Sequence, residues 1–451
     1  MRPATQRMSF REDVPVLFLA WLVPTILLLL FSAQQVWEGG MPKLPTFRDA
    51  FSITDGLKTL VGYAWPLFLL LTLIIGIGCQ ALQVTGKRGM LIAVTYCAVS
   101  LTVLAHFAPG NLALNAFQLV LLISLLGFCL YSRQAPQLAI GAGLCAAAML
   151  ATGFVMAPFV LAAATWIAAE WALDSGETDE SSSQKASYFG YCFAFGTIFL
   201  GLFADSGWSP MSSACGPLSL PHVVPAAFAG VGLAHLANTA MGPTNTRHKL
   251  GSLGFLTIAA SSSIVAINPS CVFPVTFGSI SETVWQWGQG TNRDLFALFA
   301  EDSPNAYTIA ATPLIGLFAA CYAAITSKQD RSAWVLLLGS LGIAVVLMTY
   351  DTNFAILANA LAIIPCAFLT LAAGQISRKA LPAPLTGAVF VVVWLSGMNL
   401  VHVTISKHVV PGTLGYQPKS IITSSNRFTI AGTSKTLQSP SVPLILLAAA
   451  P

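Results

Sequence analysis

The chain is 451 residues long, 55% apolar and only 8% charged, with a formal net charge of +4. A soluble domain carries about 25% charged residues, so a water-facing globular fold is excluded and the class is an all-α polytopic integral membrane protein. The basic residues are few and scattered over short connections, which orients helices in a bilayer and argues against a nucleic-acid surface.

Met1 to Asp13 carries Arg2, Arg7 and Arg11 ahead of the apolar run 14–35. That run is too long for a signal h-region and no small-residue cleavage site follows, so it reads as an uncleaved first span. Apolar runs of roughly 17–25 residues then predict about thirteen transmembrane helices in all. They cover 14–35, 64–84, 90–108, 115–131, 138–151, 155–173, 188–204, 222–242, 252–267, 306–325, 333–350, 354–373 and 383–403. Gly153 and Pro158 divide the stretch 138–173 into two short helices or one kinked helix.

Loop charge sets the expected orientation. With the N-terminus inside, the inner connections are 85–89, 132–133, 174–187, 246–249, 327–331 and 376–379, and each carries Lys or Arg. The outer connections 109–114, 152–154, 205–221 and 351–353 carry none, as the positive-inside rule requires. The opening loop, Arg293 and the tail are exceptions on long outer segments, where the rule is weak. An odd span count leaves the C-terminus outside. The expected organisation is a membrane domain over 1–403 and an outward tail over 404–451, rich in Ser, Thr, Pro and Gly. The long outward loops are 36–63, 205–221 and 268–305, all on one face.

Seven cysteines lie in apparent spans and read as small packing residues. Cys215 and Cys271 are the two in outward loops. In an oxidising compartment they are expected to form a disulfide joining loops 205–221 and 268–305; the alternative is two free thiols too far apart. No Cys/His metal spacing is present. His235 reads as mid-span, an ionisable group to be regarded as functional by default, or else a neutral ring bonded to a neighbouring helix. His106 and His222 fall at outer helix ends. The spans hold almost no acid, which weighs against an ion-coupled transporter.

The outward acids include Glu38, Asp49, Asp55, Asp205, Glu282, Asp294, Glu301, Asp302 and Asp351. Sugar transfer from a lipid phosphate needs a base for the acceptor hydroxyl, and a divalent cation or cationic side chains to hold the leaving phosphate. Acids on two outward loops would build such a site; otherwise they are ordinary solvated charges. Asp49 is the first candidate base or metal ligand and Asp55 the second, with Arg48 and Lys58 as phosphate partners. Trp285 and Trp287 in loop 268–305 suit an interfacial helix or a sugar- or lipid-contacting platform.

The span plan resembles that of the GT-C superfamily of membrane glycosyltransferases. A local likeness to bacterial GT-C-like proteins covers about Ala64 to Ile325. It rests on Phe107-Ala-Pro-Gly110 followed by Gln118-Leu-Val, on the small-residue pair 138–173 with Ala157-Pro158, and on Cys215 and Cys271. The resemblance implies a GT-C-like fold in a bacterial inner membrane. It also implies a polyprenyl-phosphate sugar as partner and places Gln118 beside the substrate, which His106, from its outer helix end, would border. Those relatives carry paired acids early in the first outward loop and Asp-His-His-Asn after Pro-Gly. Here the latter positions read Ala113, Leu114, Asn115 and Ala116. Either Asp49, Asp55 and the 268–305 acids replace that set, or the protein binds a lipid-linked glycan or scaffolds an assembly without catalysis. A transporter or flippase is the third reading.

Overall fold

A computed structural model describes residues 53–108, 114–173, 179–203, 220–238, 245–267, 295–328, 330–398 and 401–402. The first predicted span, the tail 404–451, and Arg48, Asp49, Cys215, Cys271, Trp285 and Trp287 lie outside the described residues.

The described elements are all helical. In chain order they are α1 (Ile53–Ala98), α2 (Leu114–Tyr131), α3 (Ala139–Thr152), α4 (Ala157–Leu173), α5 (Asp179–Phe203), α6 (Leu220–Ala237), α7 (Thr246–Ile267), α8 (Ser303–Thr326), α9 (Arg331–Tyr350), α10 (Ala355–Ala380) and α11 (Ala383–Ser396). Short helices Leu101–Leu104 and Leu295–Glu301 precede α2 and α8. Among the described residues seven helices are long and apolar enough to cross a membrane, and Pro136–Thr152, Ala157–Leu173 and Ala383–Ser396 are shorter apolar helices. Large apolar side chains such as Phe255, Phe318 and Ile325 are exposed, at 74%, 69% and 77%. In water that would be a liability; against acyl chains it is the expected outer surface.

Two glycines turn the chain where an L side chain would be strained. Gly86 (φ 78°) divides α1. Its first arm runs parallel to α2, since Trp65 meets Phe117 and Gln83 Nε2 donates to the Leu130 carbonyl at 2.8 Å. The residues between these two parallel helices therefore return from one end to the other. Gly153 (φ 151°) separates α3 from α4, so the stretch 138–173 is two helices.

Side-chain amides and hydroxyls tie the bundle where hydrocarbon offers backbone groups no partner. Gln80 Nε2 donates to Ile123 O at 2.6 Å. The Tyr96 hydroxyl lies 2.7 Å from that of Thr370 and donates to Trp394 O at 2.9 Å. Asn359 Nδ2 reaches Ile309 O at 3.1 Å. Small residues let backbones approach closely. Along α5, Ser183, Ser187 and Gly190 face Ala237, Ala234 and Gly230 of α6.

These contacts sort the helix ends into two sets. One end gathers Arg133, Glu170, Lys185, Lys249 and Ser332, the termini that adjoin the basic connections. The other gathers Gln118 with Thr152 and Tyr307 with His402. The helix ends from which 36–52, 204–219 and 268–294 depart belong to this second, loop-bearing end.

Three boundaries differ from the sequence expectation. The opening loop was expected to run to residue 63, but α1 begins at Ile53. Ile53, Leu57, Leu60, Val61 and Ala64 recur at helical spacing, so the helix begins ahead of the expected span. The connection 174–187 is helical from Asp179, because Ser183, Lys185 and Ala186 are buried against neighbouring helices. Helix α6 stops at Ala237, so His235 sits in its last turn, exposed, and not in mid-span.

Candidate functional site

Of the expected catalytic pair, Asp55 lies in the first turn of α1 and Lys58 in the next. A rise of 1.5 Å per residue puts Asp55 about 14 Å along the axis from Ala64. At the foot of this extension Trp65 stacks with Phe68 (ring centroids 6.0 Å apart) and touches Phe117 (6.3 Å). The root of the opening loop is therefore aromatic. Sequence reasoning passed over Trp65, although tryptophan at a span boundary is the usual interfacial signal.

His106 lies in the single 3₁₀ turn Ala105–Phe107, half-buried. Its Nδ1 is 3.0 Å from the Thr102 carbonyl, a contact that requires Nδ1–H to donate. The lone pair of the neutral ring is then on Nε2, the form suited to accept a proton or a substrate hydroxyl. Gln118 is buried, and its Nε2 donates to Thr152 O at 3.1 Å. It ties α2 to the turn before α4. His106 and Gln118 are thus on neighbouring elements at the loop-bearing end, each with its own backbone partner.

Two other acids expected on the outer face take local roles. Asp302 accepts from Asn305 N at 3.3 Å and caps α8. Asp351 accepts from Asn353 N at 2.9 Å, capping the turn Thr352–Phe354. Asp302-Ser-Pro is itself a helix-start signal. Nearby, the Tyr307 hydroxyl donates to His402 Nδ1 (3.1 Å), while His402 Nε2–H donates to Ser396 O (2.7 Å). Among the described residues no three His, Cys, Asp or Glu side chains gather as metal ligands.

The strongest charge cluster lies at the basic end, and sequence reasoning missed it. Glu170 pairs with Lys185, accepts from Ser332 Oγ at 2.8 Å, and has Arg133 Nε at 3.5 Å. Lys185 also sits 4.8 Å from the Trp166 ring centroid, and Trp166 Nε1 donates to Ser332 O at 2.9 Å. One carboxylate thereby joins α4, α5, α9 and the end of α2. Lys249 is likewise buried, 5.3 Å from the Trp171 ring. With every member engaged, this is a structural hub.

No family model and no curated protein matches the sequence. Solved structures do match. The Archaeoglobus fulgidus oligosaccharyltransferase in the apo form aligns with a TM-score of 0.56 at 12% identity, over 89% of this chain and 56% of that one. The archaeal oligosaccharyltransferase AglB from the same organism, in complex with an inhibitory peptide and a dolichol-phosphate, gives 0.55 at 12% identity over 77% and 44%. The same organism's enzyme tethered with an acceptor peptide containing the NVT sequon gives 0.53 at 13% identity over 78% and 44%. The chain spans about half the length of these structures, and identity this low carries the fold alone. The fold is like that of these oligosaccharyltransferase structures, in keeping with the GT-C-like plan expected from the spans.

Proposed function

We propose that the protein is a multi-pass bacterial inner-membrane glycosyltransferase that moves a sugar from a polyprenyl phosphate on its outer, loop-bearing face. The observation carrying this reading is the backbone likeness over 89% of the chain to an oligosaccharyltransferase. A chain of that enzyme type is seen with dolichol-phosphate, itself a polyprenyl phosphate. In the proposed step the acceptor oxygen bonds to the anomeric carbon as the carbon–oxygen bond to phosphate breaks. The phosphate leaves with the electron pair. Asp49 takes the acceptor proton, with Asp55 second in that role, and Arg48 and Lys58 offset the charge on the leaving group. His106 and Gln118 border the substrate beside the opening loop, and Trp285 and Trp287 contact the lipid or sugar. A Cys215–Cys271 disulfide would hold the other two outward segments together. A divalent cation held with Asp49 would offset the charge on the leaving phosphate in the same way.

A second reading, binding of a lipid-linked glycan without transfer, is favoured by the residues after Gly110. Leu114 is exposed and Ala116 buried at the start of α2, where the bacterial GT-C-like proteins this chain resembles carry His and Asn. Purified full-length protein given labelled polyprenyl-phosphate sugar separates the two. Label should leave the lipid, and Asp49→Asn with Asp55→Asn should slow its release at least about 100-fold while the lipid still binds. Transfer that survives both substitutions would overturn the site; retention of label by the unaltered protein would leave the binding reading.

A further inference from the structure

Between the ends of α6 and α7, at the basic end, lies a crevice of about 490 Å³. Its rim holds His235, Arg247 and His248, and its floor holds Gly251, Phe255 and Leu256. The three rim residues are exposed. Among the described residues no acid lines the crevice, and the link 239–244 between the two helices contains none. Neither ion pair described at this end involves a rim residue; both belong to Glu170.

The local fold explains the concavity. Lys249, next in sequence to His248, turns inward and donates to Trp171 O at 3.4 Å. That anchors the first turn of α7 and leaves Arg247 and His248 on the other side. Gly251 has open space where a side chain would stand. Beyond the crevice the most apolar stretch of α7 buries none of its residues within the protein, and Phe255 and Ile258 project from it at 74% and 68% exposure.

We infer that this crevice binds one anionic glycerophospholipid. The phosphate sits among His235, Arg247 and His248, and the acyl chains follow the exposed apolar face of α7. A rim of one arginine and two imidazoles above an apolar wall open to the bilayer matches a lipid from headgroup to tail. A zwitterionic headgroup would bring its own ammonium against the same rim and gain less. The crevice is at the opposite end from the proposed transfer site, so it is not a donor site.

Native mass spectrometry of the full-length protein, titrated with phosphatidylglycerol or phosphatidylcholine, tests this. Phosphatidylglycerol should bind at least about fivefold more tightly. Arg247→Gln should weaken it about fivefold, and adding H235Q and H248Q should abolish the preference. Arg378→Gln, an exposed cation elsewhere at the same end, should change nothing, and millimolar inorganic phosphate should not displace the lipid. Equal binding of the two lipids, an unaffected triple variant, an equal loss with Arg378→Gln, displacement by free phosphate, or occupation of the face by a second copy would each overturn the assignment.

Discussion

Replacing Lys185 with methionine is expected to destabilise the folded protein by about 3–5 kcal/mol, the usual cost of removing one partner of a buried pair. The Lys185 side chain is 4% exposed and that of Glu170 17%. Without Lys185, Glu170 keeps Ser332 and a more distant Arg133, which is too little to offset its desolvation. The double variant Lys185→Met, Glu170→Leu removes both charges and is expected to recover most of the loss, because apolar replacement of a whole pair is often near neutral. Reversible unfolding in detergent, arranged as a double-mutant cycle, reads this directly. A single variant no less stable than the double would show that the hub does not join the helices as described.

Gly190→Val is the second large effect. A β-carbon at Gly190 would fall inside contact distance of the Gly230 carbonyl oxygen and 2.9 Å from the Ala234 amide nitrogen. Those are backbone atoms, so no rotamer change relieves the overlap and α5 must separate from α6. The expected cost is about 3 kcal/mol, at the upper end for overpacking. It should appear as a sharp drop in the yield of monodisperse protein and in thermal midpoint. Gly342→Val in α9, where nothing lies within 4 Å, is the control and should shift stability by no more than about 1 kcal/mol, the helix propensities of the two residues being similar. Equal behaviour of the two variants would contradict the close α5–α6 packing.

The bundle was legible in the sequence because hydrocarbon compatibility is written in composition. What composition cannot mark is where a helix continues beyond the hydrocarbon. Both Ile53–Gly62 and Asp179–Ser187 are polar enough to read as loop, yet both are helical. In the second, that continuation carries Lys185 back into the core. Its charge suggested a solvated turn; its partner, Glu170, is 15 residues away on another helix, a distance no local pattern conveys. His235 was misplaced because the span was carried to residue 242, across Asn238 and Thr239, whereas the helix ends at Ala237.

The candidate site was legible in part. The sequence placed His106, Gln118 and the opening loop at one end, and the helix ends agree. Asp302 and Asp351 had looked like available carboxylates, but both hold backbone amides. Their caps were readable from Asp-Ser-Pro and Asp-Thr-Asn. Asp55 and Lys58 stand one turn apart in α1.

The central claim is glycosyl transfer at the loop-bearing end. The most direct measurement is a density map of the purified full-length protein with bound polyprenyl phosphate. The account predicts an isoprenoid chain entering from the bilayer, with its phosphate at the N-terminal part of α1 beneath the opening loop. A phosphate lodged at the basic end, or a polar path running through the bundle from one end to the other, would contradict it.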